Sequence, residues 1–403
     1  MATRTESPQA ALPERRRPEL DAMRMLVVVG LVFFHSALVF ATEGDFYVTN
    51  AETTEAITVI AGFGVVWAMP LLFLISGLGA WHSLRRRGAG TFTKERLLRL
   101  GVPLLLATLL LNPLPQWLRQ RSSDPHYDES YAGFLPRFFD VHLEFDELPF
   151  LVQGEYFETG HLWFVVLLLT FSLMLAPLHH FLPHEPCRRL ADRVAAVTLR
   201  RRGVVLLPAL AFAAICAFAG MEEDYAGWHR WSYLLFFAAG FALATDTRFR
   251  TVMRRDARPA ACLGALLFVA AAPGFTTADD PFTDTTPPAV VSRALFGAAG
   301  WCLVVAIPGL LDRPRQQPSG APAPTAPTTR QRVYGYLAAA VLPLYVLHQP
   351  IVVAVAYFVV GWAAPIPVEY VVLVTISLAL TLVAYELLVR RTRVTRFLFG
   401  MRG

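Results

Sequence analysis

Arg24 and His35 stand eleven positions apart, with ten apolar or small residues between them, Met25-Leu-Val-Val-Val-Gly-Leu-Val-Phe-Phe34. Eleven residues make almost a whole number of helical turns, so on a helix both side chains share one face, separated by roughly 16 Å of rise. A charge inside a membrane helix is expensive and by default a functional hypothesis, and here a guanidinium near one surface precedes an imidazole near mid-membrane. The first suits phosphate, through bidentate charge-assisted hydrogen bonds; the second suits a general base. Away from water an imidazole is expected to be neutral and able to take a proton near pH 7.

Few other residues could join them. His348, in Leu344-Tyr-Val-Leu-His-Gln-Pro350, falls at a similar depth in a later apolar run, and Asp21 precedes Arg24 by three, within pairing reach. His161 opens an apolar run at the outer surface, Ser76 lies in Phe73-Leu-Ile-Ser-Gly77, and Glu386 sits near the inner end of the last run. The basic stretch Arg85 to Arg99, with Arg85, Arg87, Arg96 and Arg99 as candidates, would complete a cationic rim beside Arg24. A pantetheine arm spans from such a rim to the depth of His35, which points to acyl transfer from a coenzyme A thioester. No second intramembrane acid offers a Ser-His-Asp triad. Plainer readings stand beside these: arginines snorkelling to headgroups, Asp21 capping a helix, Glu386 paired with Arg390, Ser76 in close helix packing, and His161 and His348 as hydrogen-bonded packing residues.

These residues need a membrane scaffold. The chain of 403 residues is 55% hydrophobic and 17% charged, with a mean hydropathy of +0.45, well outside the soluble range. This predicts an all-α polytopic membrane protein, a bundle of about ten transmembrane helices: Ala22 to Ala41, Ile57 to Trp81, Leu97 to Leu118, Leu162 to Leu182, Gly203 to Gly220, Trp231 to Thr245, Pro259 to Phe275, Val290 to Leu311, Val333 to Trp362 and Tyr370 to Val389. The net charge of +5 is carried mostly by arginine clusters beside these runs, so it signals orientation and not a nucleic-acid partner. Clusters at Arg15 to Arg17, Arg85 to Arg99, Arg188 to Arg202, Arg248 to Arg258, Arg313 to Arg332 and beyond Arg390 alternate with the basic-free segments Thr42 to Thr58, Met221 to Gly227, Thr276 to Pro288 and Ala363 to Glu369. Arg119, Arg121 and Arg137 run against the rule, but on a long, acid-rich loop that it constrains weakly, so both termini are expected in the cytoplasm. The first run lacks a small-residue cleavage site and is expected to be retained.

The expected organisation is a cytoplasmic segment 1–21, a membrane domain 22–311, a disordered linker 312–332 rich in Pro, Ala, Gln and Thr, two further helices in 333–389 and a tail 390–403. Four scattered cysteines imply neither disulfides nor a metal site. The long outer loop Arg119 to Gly160 offers Tyr127, Tyr131, Phe138, Phe139 and Tyr156 as surfaces on which a sugar could stack.

Taken together, Leu20-Asp-Ala-Met-Arg24 with His35, Phe73-Leu-Ile-Ser-Gly77, Glu95-Arg-Leu-Leu-Arg-Leu-Gly-Val-Pro103, His161-Leu-Trp-Phe164, Leu344 to Pro350 and Tyr385-Glu386 before Arg396-Phe-Leu-Phe-Gly400 resemble the membrane acyltransferase-3 family. The similarity spans nearly the whole chain and looks closest to the glucan succinyltransferase branch, from which the Pro-rich linker and the arginine-dominated composition depart. The resemblance implies a bacterial inner-membrane enzyme. It would carry an acyl group from cytosolic acyl-coenzyme A to a hydroxyl of an extracytoplasmic glycan or glycolipid, without a metal. It makes His35 essential, gives Arg24, Arg85, Arg87, Arg96 and Arg99 to donor binding, and leaves Asp21, Ser76, His161, Trp163, His348 and Glu386 in supporting or acceptor-side roles. The competing class is a proton-coupled secondary transporter using His35 and His348 as a relay, but such transporters usually show related halves. None is visible in this sequence.

Overall fold

The computed structural model describes residues 18–42, 46–278, 280–312 and 328–401. Most of the expected linker and the Arg15 to Arg17 cluster lie outside them. In lipid every backbone polar group needs an internal partner, so the apolar runs fold as helices. Among the described residues α1 runs Pro18–Leu38, with Glu19 and Asp21 in its first described turn, where carboxylates complement a positive helix end. The helix therefore starts before the expected Ala22. The second, α2 (Glu55–Arg87), is 33 residues long and ends on three arginines suited to the negative helix terminus.

Ala89–Ser123 is one 35-residue apolar stretch. It comprises α3 (Ala89–Arg96), a π turn at Leu97–Gly101, α4 (Val102–Leu110) and α5 (Pro113–Ser123). It bends at Asn112, where the following proline cannot donate. The loop beyond holds α6 (Tyr131–Phe138) and a short antiparallel hairpin, β1 (His142–Leu143) with β2 (Val152–Gln153). Then follow α7 (Trp163–Phe181), α8 (His184–Arg200), α9 (Ala209–Phe218), α10 (Arg230–Leu243), α11 (Arg248–Thr277), α12 (Pro287–Leu311), α13 (Thr329–Val359), α14 (Ile366–Ala384) with a terminal π turn at Tyr385–Val389, and α15 (Arg393–Leu398).

Among the described residues, 8 helices are long and apolar enough to cross a membrane. The fifth and sixth expected spans are α9 with its preceding turn, Val204–Phe218, and α10, which has 14 residues and a length of about 21 Å. The chain is an all-α polytopic membrane protein, as expected, and these two of the ten expected spans are shorter than the 8 long helices. The arginines expected in a loop after Leu182 lie instead on α8, where exposed Leu190, Val194 and Val197 recur at helical spacing.

Packing inside lipid depends on close contact more than on expelling water, and small residues allow it. A Cβ on Gly77 would lie 2.0 Å from the Phe237 carbonyl oxygen, and one on Gly240 2.0 Å from that of Leu74. Only glycine fits at either position, so α2 and α10 touch backbone to backbone. α1 packs on α2, α13 and α14. It runs antiparallel to α2, with Arg24 beside Ile75 and Gly79 and Phe34 beside Gly64. It runs parallel to α13.

Candidate active site

Arg24 leaves α1 toward α2. Its Nη1 lies 3.2 Å from Asp21 Oδ1, its Nη2 donates to the Ile75 carbonyl at 3.0 Å, and the absent side chain of Gly79 leaves room for it. The basic stretch after α2 is equally pre-set. The Arg85 guanidinium lies 5.4 Å from the Trp81 ring and that of Arg96 5.0 Å from the Phe92 ring. Arg87 and Arg99 share Glu95, the latter at 3.5 Å. Arg99 Nε also donates to the Gly400 carbonyl at 3.2 Å, tying the loop to the C-terminal segment.

Three imidazoles meet deeper in the bundle. His35, half-buried on α1, lies 5.2 Å from the ring of His348 on α13, and that ring lies 5.0 Å from His161. Phe46 stacks on His35 at 5.8 Å. His348 is fully buried, with Nδ1 2.5 Å from the Tyr345 carbonyl. Its shared depth with His35 follows from parallel helices and matches the expectation.

His161 does not sit at the outer surface as expected; it is 5% exposed. Tertiary contacts pull it inward. Its N–H donates to Gln349 Oε1 at 2.9 Å, its Nε2 faces the Val346 carbonyl at 3.2 Å, and the Tyr345 hydroxyl donates to its carbonyl. Gly160 turns the chain at φ +48°, and a Cβ there would meet the Tyr47 hydroxyl at 2.9 Å.

Ser76 is not a neighbour of His35. It follows the Ile75 carbonyl that holds Arg24, about 18 Å along α2 from Gly64, which faces Phe34. Trp163 packs among Tyr233, Tyr225 and Phe73, with centroids 5.1, 5.9 and 6.4 Å away, so it holds α7 in place. Glu386 accepts from the Tyr336 hydroxyl at 2.6 Å and from Arg390 at 3.0 Å, as the plain reading of the sequence had it. The outer-loop aromatics pack on one another and on neighbours: Trp117 on Tyr131, Phe134 on Tyr156, Arg137 over Tyr156.

Sequence reasoning missed the polar group around His161. Glu158 accepts from the Tyr47 hydroxyl, and Asn112 Nδ2 donates to the Thr159 carbonyl at 2.9 Å. Gln349 and Asn112 were visible as polar breaks in apolar runs; Glu158 was hidden in an acidic loop. Withdrawal from water pushes the Glu158 carboxyl above the ordinary carboxylate range, against the pull of Tyr47 and Arg119. A raised carboxyl favours the folded state while protonated, so that contribution is complete below the ordinary carboxyl value and is lost as pH rises through the raised one. Thermal unfolding across this window is expected to show stability falling with pH, and Glu158→Gln to flatten the fall; an unchanged slope in the variant would refute the assignment.

The decisive comparison is with known families. The family described as an acyltransferase domain matches residues 17–386, from the start of α1 into the last π turn. The chain belongs to that family. That membership, over a chain of membrane helices, favours acyl transfer over the transporter alternative. Among curated relatives, it is 24% identical over 213 residues to the glucans biosynthesis protein C of Salmonella gallinarum, covering 51% of this chain and 50% of that protein. It is 25% identical over 163 residues to the protein of that name in Escherichia coli O6:K15:H31, covering 40% and 39% respectively. In Escherichia coli K12 the match is 29% over 107 residues and 27% of each chain. The matched stretches thus span about half or less of these relatives. No solved structure matches.

Proposed function

We propose that this acyltransferase moves an acyl group from a cytosolic acyl-coenzyme A to a hydroxyl of an extracytoplasmic glycan or glycolipid, across a bacterial inner membrane with both termini in the cytoplasm. The observation that carries the reading is the single face of α1 on which Arg24, fixed by Asp21 and the Ile75 carbonyl, and His35, inside the imidazole cluster, stand about 16 Å apart. The arginine-rich end would face the cytosol, and Arg24, Arg85, Arg87, Arg96 and Arg99 would grip the donor's phosphates there. Charge-assisted bonds to phosphate are roughly twice as strong as neutral ones. The pantetheine arm would then carry the thioester to the depth of His35.

His35 takes the proton of the acceptor hydroxyl as its oxygen attacks the thioester carbonyl. The C–S bond breaks, and the departing thiolate takes that proton to leave as the thiol. The names of the relatives favour a glucan as acceptor, and the acidic, aromatic loop at the far end of the bundle supplies hydrogen-bond partners suited to sugar hydroxyls.

The test is transfer of label from succinyl- or acetyl-coenzyme A to a linear β-glucan oligosaccharide by the purified protein in nanodiscs. Arg24→Gln is expected to raise the donor KM roughly 10- to 100-fold, the worth of one hydrogen bond to a charged group, with kcat little changed. A donor KM equal to that of the parent would remove Arg24 from the donor site.

A further inference from the structure

Two buried nitrogens in the imidazole cluster have no hydrogen-bond partner among the described residues: His35 Nδ1 and His348 Nε2. They belong to rings 5.2 Å apart and tilted by 45°. A ring nitrogen sits about 1.1 Å from its centroid, so when these two atoms face each other they come to about 3 Å, an ordinary hydrogen-bond length. In the structure the bond is not closed, as is common for catalytic hydrogen bonds before substrate is bound.

The tautomers follow from the partners. A carbonyl oxygen only accepts, so His348 carries its hydrogen on Nδ1, toward Tyr345, and presents a bare lone pair at Nε2. By the same logic His161 carries its hydrogen on Nε2, toward Val346. Its other nitrogen is then an acceptor too, and it has no ring N–H to offer His348. Of the three rings, only His35 can supply the donor that the His348 lone pair lacks.

We infer that His348 is the positioning residue for His35. It accepts from Nδ1–H, fixes His35 as the Nδ1–H tautomer, and so leaves the Nε2 lone pair as the base for the acceptor hydroxyl. As that proton arrives on Nε2, His35 becomes an imidazolium with N–H on both sides. The bond to His348 then strengthens, because its donor is charged. The carbonyl of Tyr345 holds His348 in turn, the part that a buried carboxylate plays behind the histidine of a Ser-His-Asp triad. This rests on the proposed role of His35 as base.

Nitrogen-15 histidine NMR of the full-length protein in nanodiscs, with the His35 signals assigned by their loss in His35→Gln, tests it without needing a substrate. His35 is expected as the Nδ1–H tautomer in the parent protein, to lose that preference in His348→Phe, and to keep it in His348→Gln, whose amide oxygen can accept. Transfer from succinyl-coenzyme A is expected to lose roughly 10- to 100-fold in kcat in His348→Phe at unchanged donor KM, and to recover most of it in His348→Gln. An Nε2–H tautomer for His35 in the parent overturns the inference, as does parental kcat in His348→Phe. Should His348→Phe fail to fold, the parental tautomer still decides. Full turnover in His35→Gln would instead strike the proposed base, leaving the tautomer result to judge the pairing alone.

Discussion

His35→Gln is expected to lower turnover by about 10²- to 10⁴-fold, the usual worth of a positioned general base. Glutamine resembles histidine in size, is a good helix former and can still hydrogen-bond to His348, but it cannot hold a proton at neutral pH. The loss is therefore expected in kcat, with the donor KM unchanged, because Arg24 lies about three helical turns away and Arg85, at the end of α2, further still. Thermal unfolding should also match the parent, since His35 is only half-buried and its Nδ1 has no hydrogen-bond partner among the described residues. Steady-state transfer assays on the two proteins, with unfolding followed in parallel, check all three outcomes. Turnover within a few-fold of the parent would remove His35 from the chemistry.

The second large effect concerns the scaffold. Arg293, in the first half of α12, is 2% exposed, and its guanidinium donates to the carbonyls of Cys216 at 3.1 Å, Ala217 at 3.4 Å and Pro281 at 3.0 Å. Two of these are carbonyls at the end of α9 that have no partner within their own helix. Arg293 therefore caps α9 from a neighbouring helix and ties it to the loop before α12. That loop also carries Asp280, whose carboxyl is held below the usual range chiefly by the Thr283 hydroxyl, with the backbone amides of Phe282 and Thr283 and the field of Arg293 adding to it. Arg293→Leu leaves three carbonyls without a donor, each worth about 1–3 kcal/mol when buried, so a destabilisation of at least about 3 kcal/mol is expected. Denaturant titration in detergent would show it as an earlier unfolding midpoint, with Arg293→Lys intermediate. A midpoint equal to the parental one would mean that water replaces the guanidinium at no cost.

Much of this arrangement could be read from the sequence, because lipid imposes simple rules. Runs of about 20 apolar residues between arginine clusters announced the long helices, and helical periodicity alone put Arg24 and His35 on one face. The depth of His348 followed from counting residues. Contacts between distant segments were harder. His161 reads as a helix-start residue beside a loop; its burial depends on a glycine turn and on Gln349, 188 positions away. Ser76 lies close in sequence to plausible chemistry, yet its level is set by the antiparallel register of α2, which no local pattern records. Arg293 lay in plain view inside the eighth expected span, and its charge was the available signal. Its partners are backbone carbonyls, which carry no sequence signature.

The backbone contact between α2 and α10 has one more effect. Gly77 and Gly240 are packed so closely that neither helix can slide or roll against the other without driving a carbonyl into a Cα. The Ile75 carbonyl that anchors Arg24 lies inside that locked segment, so α2 and α10 form a rigid wall on one side of the proposed donor site.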